Sequence, residues 1–169
     1  IDEGSLKQRQ EEAVALRESL LIAAEPLAHR GLLDAKRLSE IKAGRDRIRD
    51  HFVRSTPYRI IDTATGQPIT DLSTPVKTAG IDSRNGEFND WSYSMGVVLA
   101  AMLHVSEVTG DTSFQDYAFK NFDFIFTHLP YFKRQAKEFG PQGRGYGRMI
   151  EMRELDHCGA IGAALVKAN

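Results

Sequence analysis

Residues 89–111, NDWSYSMGVVLAAMLHVSEVTGD, decide the fold class. Between Trp91 and Val108 there is no proline, and Gly96 is the one glycine. On a helical wheel Trp91, Met95, Val97, Val98, Leu99, Met102, Leu103, Val105 and Val108 cover most of the circumference. A helix apolar on one stripe lies at a surface, whereas one apolar nearly all round is buried among other helices. His104, Ser106 and Glu107 interrupt the run, which falls short of the roughly 20 uniformly apolar residues of a membrane span. Asn89 or Asp90 is placed to cap its start, and Gly110 stands where a left-handed C-terminal residue is wanted. Asp111 or Thr112 can cap a second helix at once, so the stretch reads as the first arm and turn of an αα-hairpin.

The rest of the composition fits a folded domain. The chain has 169 residues, 27% of them charged and 41% hydrophobic, with a net charge of −1. That excludes a disordered or membrane-embedded chain, and the balanced charge gives no electrostatic reason to expect nucleic acid. A single cysteine, Cys158, rules out an intrachain disulfide and a multi-cysteine metal site. The chain begins with Ile1 rather than Met, so a natural start, with any targeting sequence, is expected to have been removed. The compartment stays open between periplasm and cytoplasm.

Before residue 89 the chain falls into two parts. Ser5 to about Arg30 has the pattern of a polar amphipathic helix ended by Pro26 and Gly31, and Asp34 caps a second helix that Gly44 should break. Arg45 to Arg54 reads as a charged, solvated helix face, preferred over a phosphate-binding patch. From Ser55 to Phe88, Pro57, Gly66, Pro68, Pro75, Gly80 and Gly86 exclude a helix of useful length. There Tyr58 to Asp62 has the pattern of a short strand, turning at Thr65-Gly66-Gln67-Pro68. The organisation expected is a helical segment at 1–54, an irregular connector at 55–88 and a helical unit at 89–169.

After the central helix, Phe114, Tyr117, Ala118, Phe122, Ile125, Phe126 and Leu129 recur at helical spacing, a core stripe that Pro130 should stop. Tyr131 to Arg153 is rich in Gly, Arg and Lys. Its GPQGRGYGR run lacks the Lys-Ser/Thr of a phosphate loop, so Gly143, Gly145 and Gly147 are read as sites of close backbone approach or positive φ. Arg134, Arg144, Arg148 and Arg153 have the chemistry to grip a carboxylate, but a flexible solvated loop is the preferred reading of this stretch. Glu154 to Lys167 reads as another buried helix, with small residues Gly159, Ala160, Gly162, Ala163 and Ala164 that permit close helix approach or leave room for a ligand. Asp156 and His157 stand in its first turn, where the helix dipole favours an acid, and a simple N-cap is an equal reading of Asp156.

In order and spacing, NDWSYSMGVVLAAMLHVSEVTGD, the aromatic helix, the Gly-Arg loop and MRELDHCGAIGAALVK together resemble glycoside hydrolase family 105. These are the unsaturated rhamnogalacturonyl hydrolases, related to the family 88 unsaturated glucuronyl hydrolases. The resemblance covers about residues 89–167; residues 1–44 have no place in it.

The resemblance implies an all-α fold, part of an (α/α)6 barrel built from αα-hairpins. It implies an oligosaccharide substrate from pectin or rhamnogalacturonan that ends in a 4,5-unsaturated uronic acid, and no metal or organic cofactor. The reaction is hydration: an aspartic acid protonates the C4=C5 bond, water adds at C5 and the hemiketal opens. By the same resemblance Asp156 faces the pocket, Trp91 and Tyr93 are aromatic positions near its mouth, and Arg148 or Arg153 approaches its rim. His157 stands where the family usually carries a second acid, a departure that bears on local pKa values and substrate choice. The catalytic acid is expected in a Trp-Leu-Asp word downstream of Asn169. Twelve helices with their connections need more than about 300 residues, so the chain is expected to be an incomplete barrel that self-associates through uncovered apolar faces. Two alternatives stand beside this reading: a helical protein-interaction module without catalytic activity, and another α/α-barrel sugar enzyme with His157 as its acid or base.

Overall fold

A computed structural model describes residues 34–83, 90–143, 146–153 and 155–169. Among them the chain is mostly helical. Five helices, α1 (Ala35–Ser55), α2 (Tyr93–Thr109), α3 (Thr112–Phe139), α4 (Gly147–Ile150) and α5 (Leu155–Ala168), accompany two short strands, β1 (Ile60–Asp62) and β2 (Ala79–Ile81). The helix expected at Ser5 to Arg30 lies outside the described residues.

Helix α2 is buried among its neighbours because its sequence is apolar on several faces. Met95, Gly96, Val98, Leu99, Met102, Leu103, Val105 and Ser106 are all buried. Its cap is Ser92, whose hydroxyl accepts from the Met95 N–H at 3.3 Å. Asp90, a candidate cap, instead lies two residues before Ser92; Asn89 is outside the described residues. At the other end Gly110 takes φ +73°, and Asp111 caps α3 by accepting from the Ser113 N–H at 3.1 Å. The hairpin turn therefore forms as its residue types dictate.

Pro130 does not stop α3, which continues unbroken to Phe139. Proline removes one N–H and crowds the preceding turn. Here it is on the exposed side, where water can bond a freed carbonyl, while Tyr131, Phe132 and Gln135 beyond it are buried. Burying each large apolar side chain is worth about 1.5–3 kcal/mol, which outweighs the local penalty. Of the expected core stripe, Phe114, Tyr117, Ala118, Phe122 and Ile125 are buried, whereas Phe126 is largely exposed. Gly44 does not break α1 either; Asp34 caps that helix through the Arg37 N–H at 2.7 Å.

The charged segment of α1 is less solvated than its composition implies. Arg45 and Arg49 both lie 5.1 Å from the centre of the Phe114 ring and reach Asp111 at 3.7 and 3.4 Å. Phe52 then meets the Tyr117 ring at 6.0 Å, and the Thr56 and Tyr117 hydroxyls are 2.9 Å apart. Contacts advance along α1 and α3 together, so these two helices point the same way.

The connector is laid along α3. Strands β1 and β2 pair antiparallel, Ile60 with Ile81 and Asp62 with Ala79, and Gly66 turns with φ +76°. Gln135 donates to the Val76 and Ala79 carbonyls at 2.7 and 2.8 Å, and the Tyr131 hydroxyl accepts from the Val76 N–H at 3.1 Å. Asn121 donates to the Tyr58 hydroxyl at 2.9 Å.

Helix α5 packs on the other side of α2. A Cβ on Gly96 would stand 2.4 Å from Ile161 N and 2.5 Å from Ala160 C, so the two backbones meet only because residue 96 is glycine. Further along, Lys167 pairs with Glu107. Contacts again advance in the same sense on both helices, so α2 and α5 are parallel. Only one face of α5 is buried, at Ile161 and Ala164; Leu155 is 86% exposed and Val166 80%. The helix expected to be buried is thus buried on one face only.

Candidate functional site

The crossing at Gly96 fixes where the sequence-predicted residues stand. Asp156 lies four to five residues before Ala160–Ile161, and Tyr93 three before Gly96, each about 4–7 Å back along its helix. Since the helices are parallel, their N-termini share one end of the pair. Trp91, Tyr93 and Asp156 come to that end.

Around Asp90 the arrangement is specific. Arg148, on the short helix α4, approaches the Asp90 carboxylate at 3.8 Å. Tyr146, immediately before that helix, is 1% exposed and holds φ +58°, the left-handed region that side chains rarely adopt. Several contacts hold it there. Its carbonyl accepts from the Met149 and Ile150 N–H groups at 2.9 Å each. Its ring meets Phe132 edge-on at 5.2 Å. The neighbouring Gly147 leaves room for the Gln142 carbonyl, which a Cβ would approach to 2.6 Å. Burial, and then the negative charge of Asp90, push the Tyr146 hydroxyl well above its ordinary pKa. It is a neutral O–H at any physiological pH.

Trp91 is 5% exposed, so its ring face is used in the core. Among the described residues its Nε1–H, like the Tyr146 hydroxyl, finds no hydrogen-bond partner. Tyr93, by contrast, is 56% exposed and is an aromatic surface open to a ligand. Asp156 is exposed on the first turn of α5. Arg153 is also exposed and is held by Glu151 at 2.7 Å. His157 belongs to α5, but its side chain is outside the described ones, as are Arg144 and Gly145. The structure therefore brings Trp91, Tyr93 and Asp156 to one end, gathers Arg148 with Asp90, and leaves Arg153 at the surface.

Sequence reasoning missed Tyr146 and Asp90 as partners of this region. The glycines around Tyr146 drew attention as the positive-φ candidates, yet Gly143 and Gly147 do not take positive φ and Tyr146 does. A cleft of about 300 Å3 lined by Leu103, Ser106, Glu107, Gln115, Phe119 and Lys167 opens at the opposite end of the α2–α5 pair, and none of the predicted residues lines it. Among the described residues no three His, Cys, Asp or Glu side chains are grouped to hold a metal ion, and no helix is long and apolar enough to cross a membrane.

Comparison of the chain with protein-family models, with curated proteins and with solved structures finds no match.

Proposed function

We propose that this chain contributes to an (α/α)6 barrel of a glycoside hydrolase that hydrates the C4=C5 bond of unsaturated uronyl oligosaccharides from pectin or rhamnogalacturonan. The observation that carries the reading is the direction of the helices: α2 packs parallel to α5, and α1 runs parallel to α3. The parallel pair α2 and α5 would be inner helices, and the parallel pair α1 and α3 outer ones, with hairpins alternating between the layers. A second regularity supports it. Gly96-Val-Val-Leu-Ala-Ala-Met-Leu and Gly159-Ala-Ile-Gly-Ala-Ala-Leu-Val align glycine on glycine. Gly96 receives the backbone of α5, while beside Gly159 the space is open, as it should be where a further inner helix packs.

In this reading the shared N-terminal end of α2 and α5 is the substrate end. Tyr93 offers the sugar ring an aromatic surface, and Asp156 and Asp90 offer acceptors for its hydroxyls. Arg148 and Arg153 stand as cations for the uronate carboxylate. The reaction needs a carboxylic acid that gives a proton to C4 and then takes one from the water adding at C5. The catalytic carboxyl is not assigned to a residue of this chain. The hemiketal formed at C5 opens, releasing the sugar on the reducing side. The test is the ultraviolet absorbance of the conjugated C4=C5–carboxylate in an unsaturated rhamnogalacturonan disaccharide. The reading expects absorbance to fall with the full-length protein; constant absorbance, with the disaccharide intact, would refute it.

The second reading, a helical protein-interaction module, draws on an exposed stripe of α5, Leu155, Gly159, Ala163 and Val166. It is favoured if Leu155→Glu and Val166→Glu abolish a protein complex and leave sugar binding absent throughout.

A further inference from the structure

The cleft at the far end of the α2–α5 pair is open to solvent and lies away from the residues assigned to the substrate. Leu103, Ser106 and Glu107 stand at i, i+3 and i+4 on one face of α2, and Gln115 and Phe119 stand four apart on one face of α3. Lys167, in the last turn of α5, closes the side. Because α2 and α3 form a hairpin and α2 and α5 run parallel, these residues meet at one place. The cleft volume of about 300 Å3 falls at the lower end of small-molecule sites, roughly 300–1,000 Å3, and suits one ring rather than a chain of them.

The lining has hydrogen-bonding capacity that the fold does not use. Ser106 is 6% exposed, yet among the described residues its hydroxyl makes no hydrogen bond, and neither does the Gln115 side-chain amide. Glu107 accepts from Lys167 and meets His104 Nδ1 at 3.4 Å, both at Oε2, which leaves Oε1 as an acceptor. Lys167 has N–H groups beyond the one it gives to Glu107. Those bonds, from Lys167 first and then His104, hold Glu107 below its ordinary pKa, so the pair is ionised and neutral as a unit. Phe119 adds an exposed aromatic surface to the same wall.

We infer that this cleft binds one neutral pyranose ring, with a C–H face against Phe119 and hydroxyls toward Ser106, Gln115 and the Glu107–Lys167 pair. An acceptor beside a donor matches two adjacent hydroxyls, one donating to Glu107 Oε1 and the next accepting from Lys167 Nζ. A charged ligand fits less well, because its carboxylate or ammonium would compete with the ion pair already formed. This site is independent of the substrate end and of the reaction proposed there.

The test is ligand-observed nuclear magnetic resonance on the full-length protein with the methyl glycosides of D-glucose, D-galactose and L-rhamnose. Tetrahydropyran-2-methanol, a ring without adjacent hydroxyls, is the control. At least one glycoside should bind and the control should not. Ser106→Ala removes only an oxygen and should weaken the Kd roughly three- to tenfold, the ratio one hydrogen bond is worth. Phe119→Ala, at an exposed position, should weaken it by roughly tenfold. The inference is overturned if no glycoside binds, if the control binds as well as the glycosides, or if both variants bind like wild type. Binding lost in Tyr93→Ala and kept in Ser106→Ala and Phe119→Ala would also overturn it, placing the ring at the substrate end. The double-bond absorbance assay separates these outcomes from a failure of the proposed function, since it reads the substrate end alone.

Discussion

Gly96→Ala should destabilise the 169-residue chain, although alanine is the better helix former. Left to the helix alone, the change would stabilise by about 1 kcal/mol. The crossing with α5 reverses that. The new methyl would stand 2.4 Å from Ile161 N, 2.5 Å from Ala160 C and 2.6 Å from Ala160 Cβ. Ordinary contact needs about 3.5–4.0 Å, so α5 must retreat by about 1 Å. The nearest atoms are mainly backbone, and no rotamer change relieves them. The retreat loosens Ile161 and Ala164, both fully buried, from their packing. Overpacking of this kind costs about 1–3 kcal/mol, and a rigid backbone neighbour places it at the upper end. Net destabilisation of about 2 kcal/mol follows, a fall of roughly 4–8 °C in melting temperature for a chain of this size. Gly159→Ala is the internal control. Nothing lies within 4 Å of its added Cβ, so only the propensity gain remains and stability should rise by up to about 1 kcal/mol. Urea denaturation of the three proteins reads both numbers. If Gly96→Ala is as stable as wild type or more so, α2 and α5 do not cross at Gly96 and the parallel pairing is wrong.

Three further outcomes are expected. Gln135→Leu withdraws the amide from the Val76 and Ala79 carbonyls and should cost about 1–3 kcal/mol by urea denaturation, with faster proteolysis of the segment between β1 and β2. Hydrogen bonding from Ser113, aided by Arg49 and Arg45, lowers the Asp111 pKa. Its folded pKa lies below the unfolded one, so it adds stability above about pH 4 that is lost as pH falls through the lowered value. Asp111→Asn should therefore flatten the acid limb of stability against pH; an unchanged limb would remove Asp111 from it. The stripe of Leu155, Gly159, Ala163 and Val166 should make the isolated chain self-associate, and a monodisperse monomer by light scattering would count against that.

The hairpin from Trp91 to the start of α3 was legible because its signals are local. A left-handed glycine at 110, a side-chain cap at 111 and an apolar run between them each act within a turn. The capping residue itself was misplaced by two or three positions, since Asp90, Asn89 and Ser92 are all good caps and only tertiary placement chooses among them. Pro130 and Gly44 misled for the same reason: local penalties of a few kcal/mol at most were set against burial of Tyr131, Phe132 and Gln135, or against docking of Arg45 and Arg49 on Phe114, which local patterns do not display. At the candidate site Tyr93 and Asp156 share one end because α2 and α5 run parallel from their crossing at Gly96. The burial of Trp91 was not legible, because whether an indole is an open face or a core filler depends on what packs over it. Tyr146 was hidden among glycines, where the positive φ was expected on a residue without a side chain.

The most direct test of the account is the reaction run in heavy water with the full-length protein and an unsaturated rhamnogalacturonan disaccharide, followed by nuclear magnetic resonance of the released uronyl product. Hydration predicts a single deuteron at C4 and loss of the C4=C5 bond. Release of a uronate that keeps its double bond and carries no deuteron would mean ordinary glycosidic cleavage, and would contradict the account.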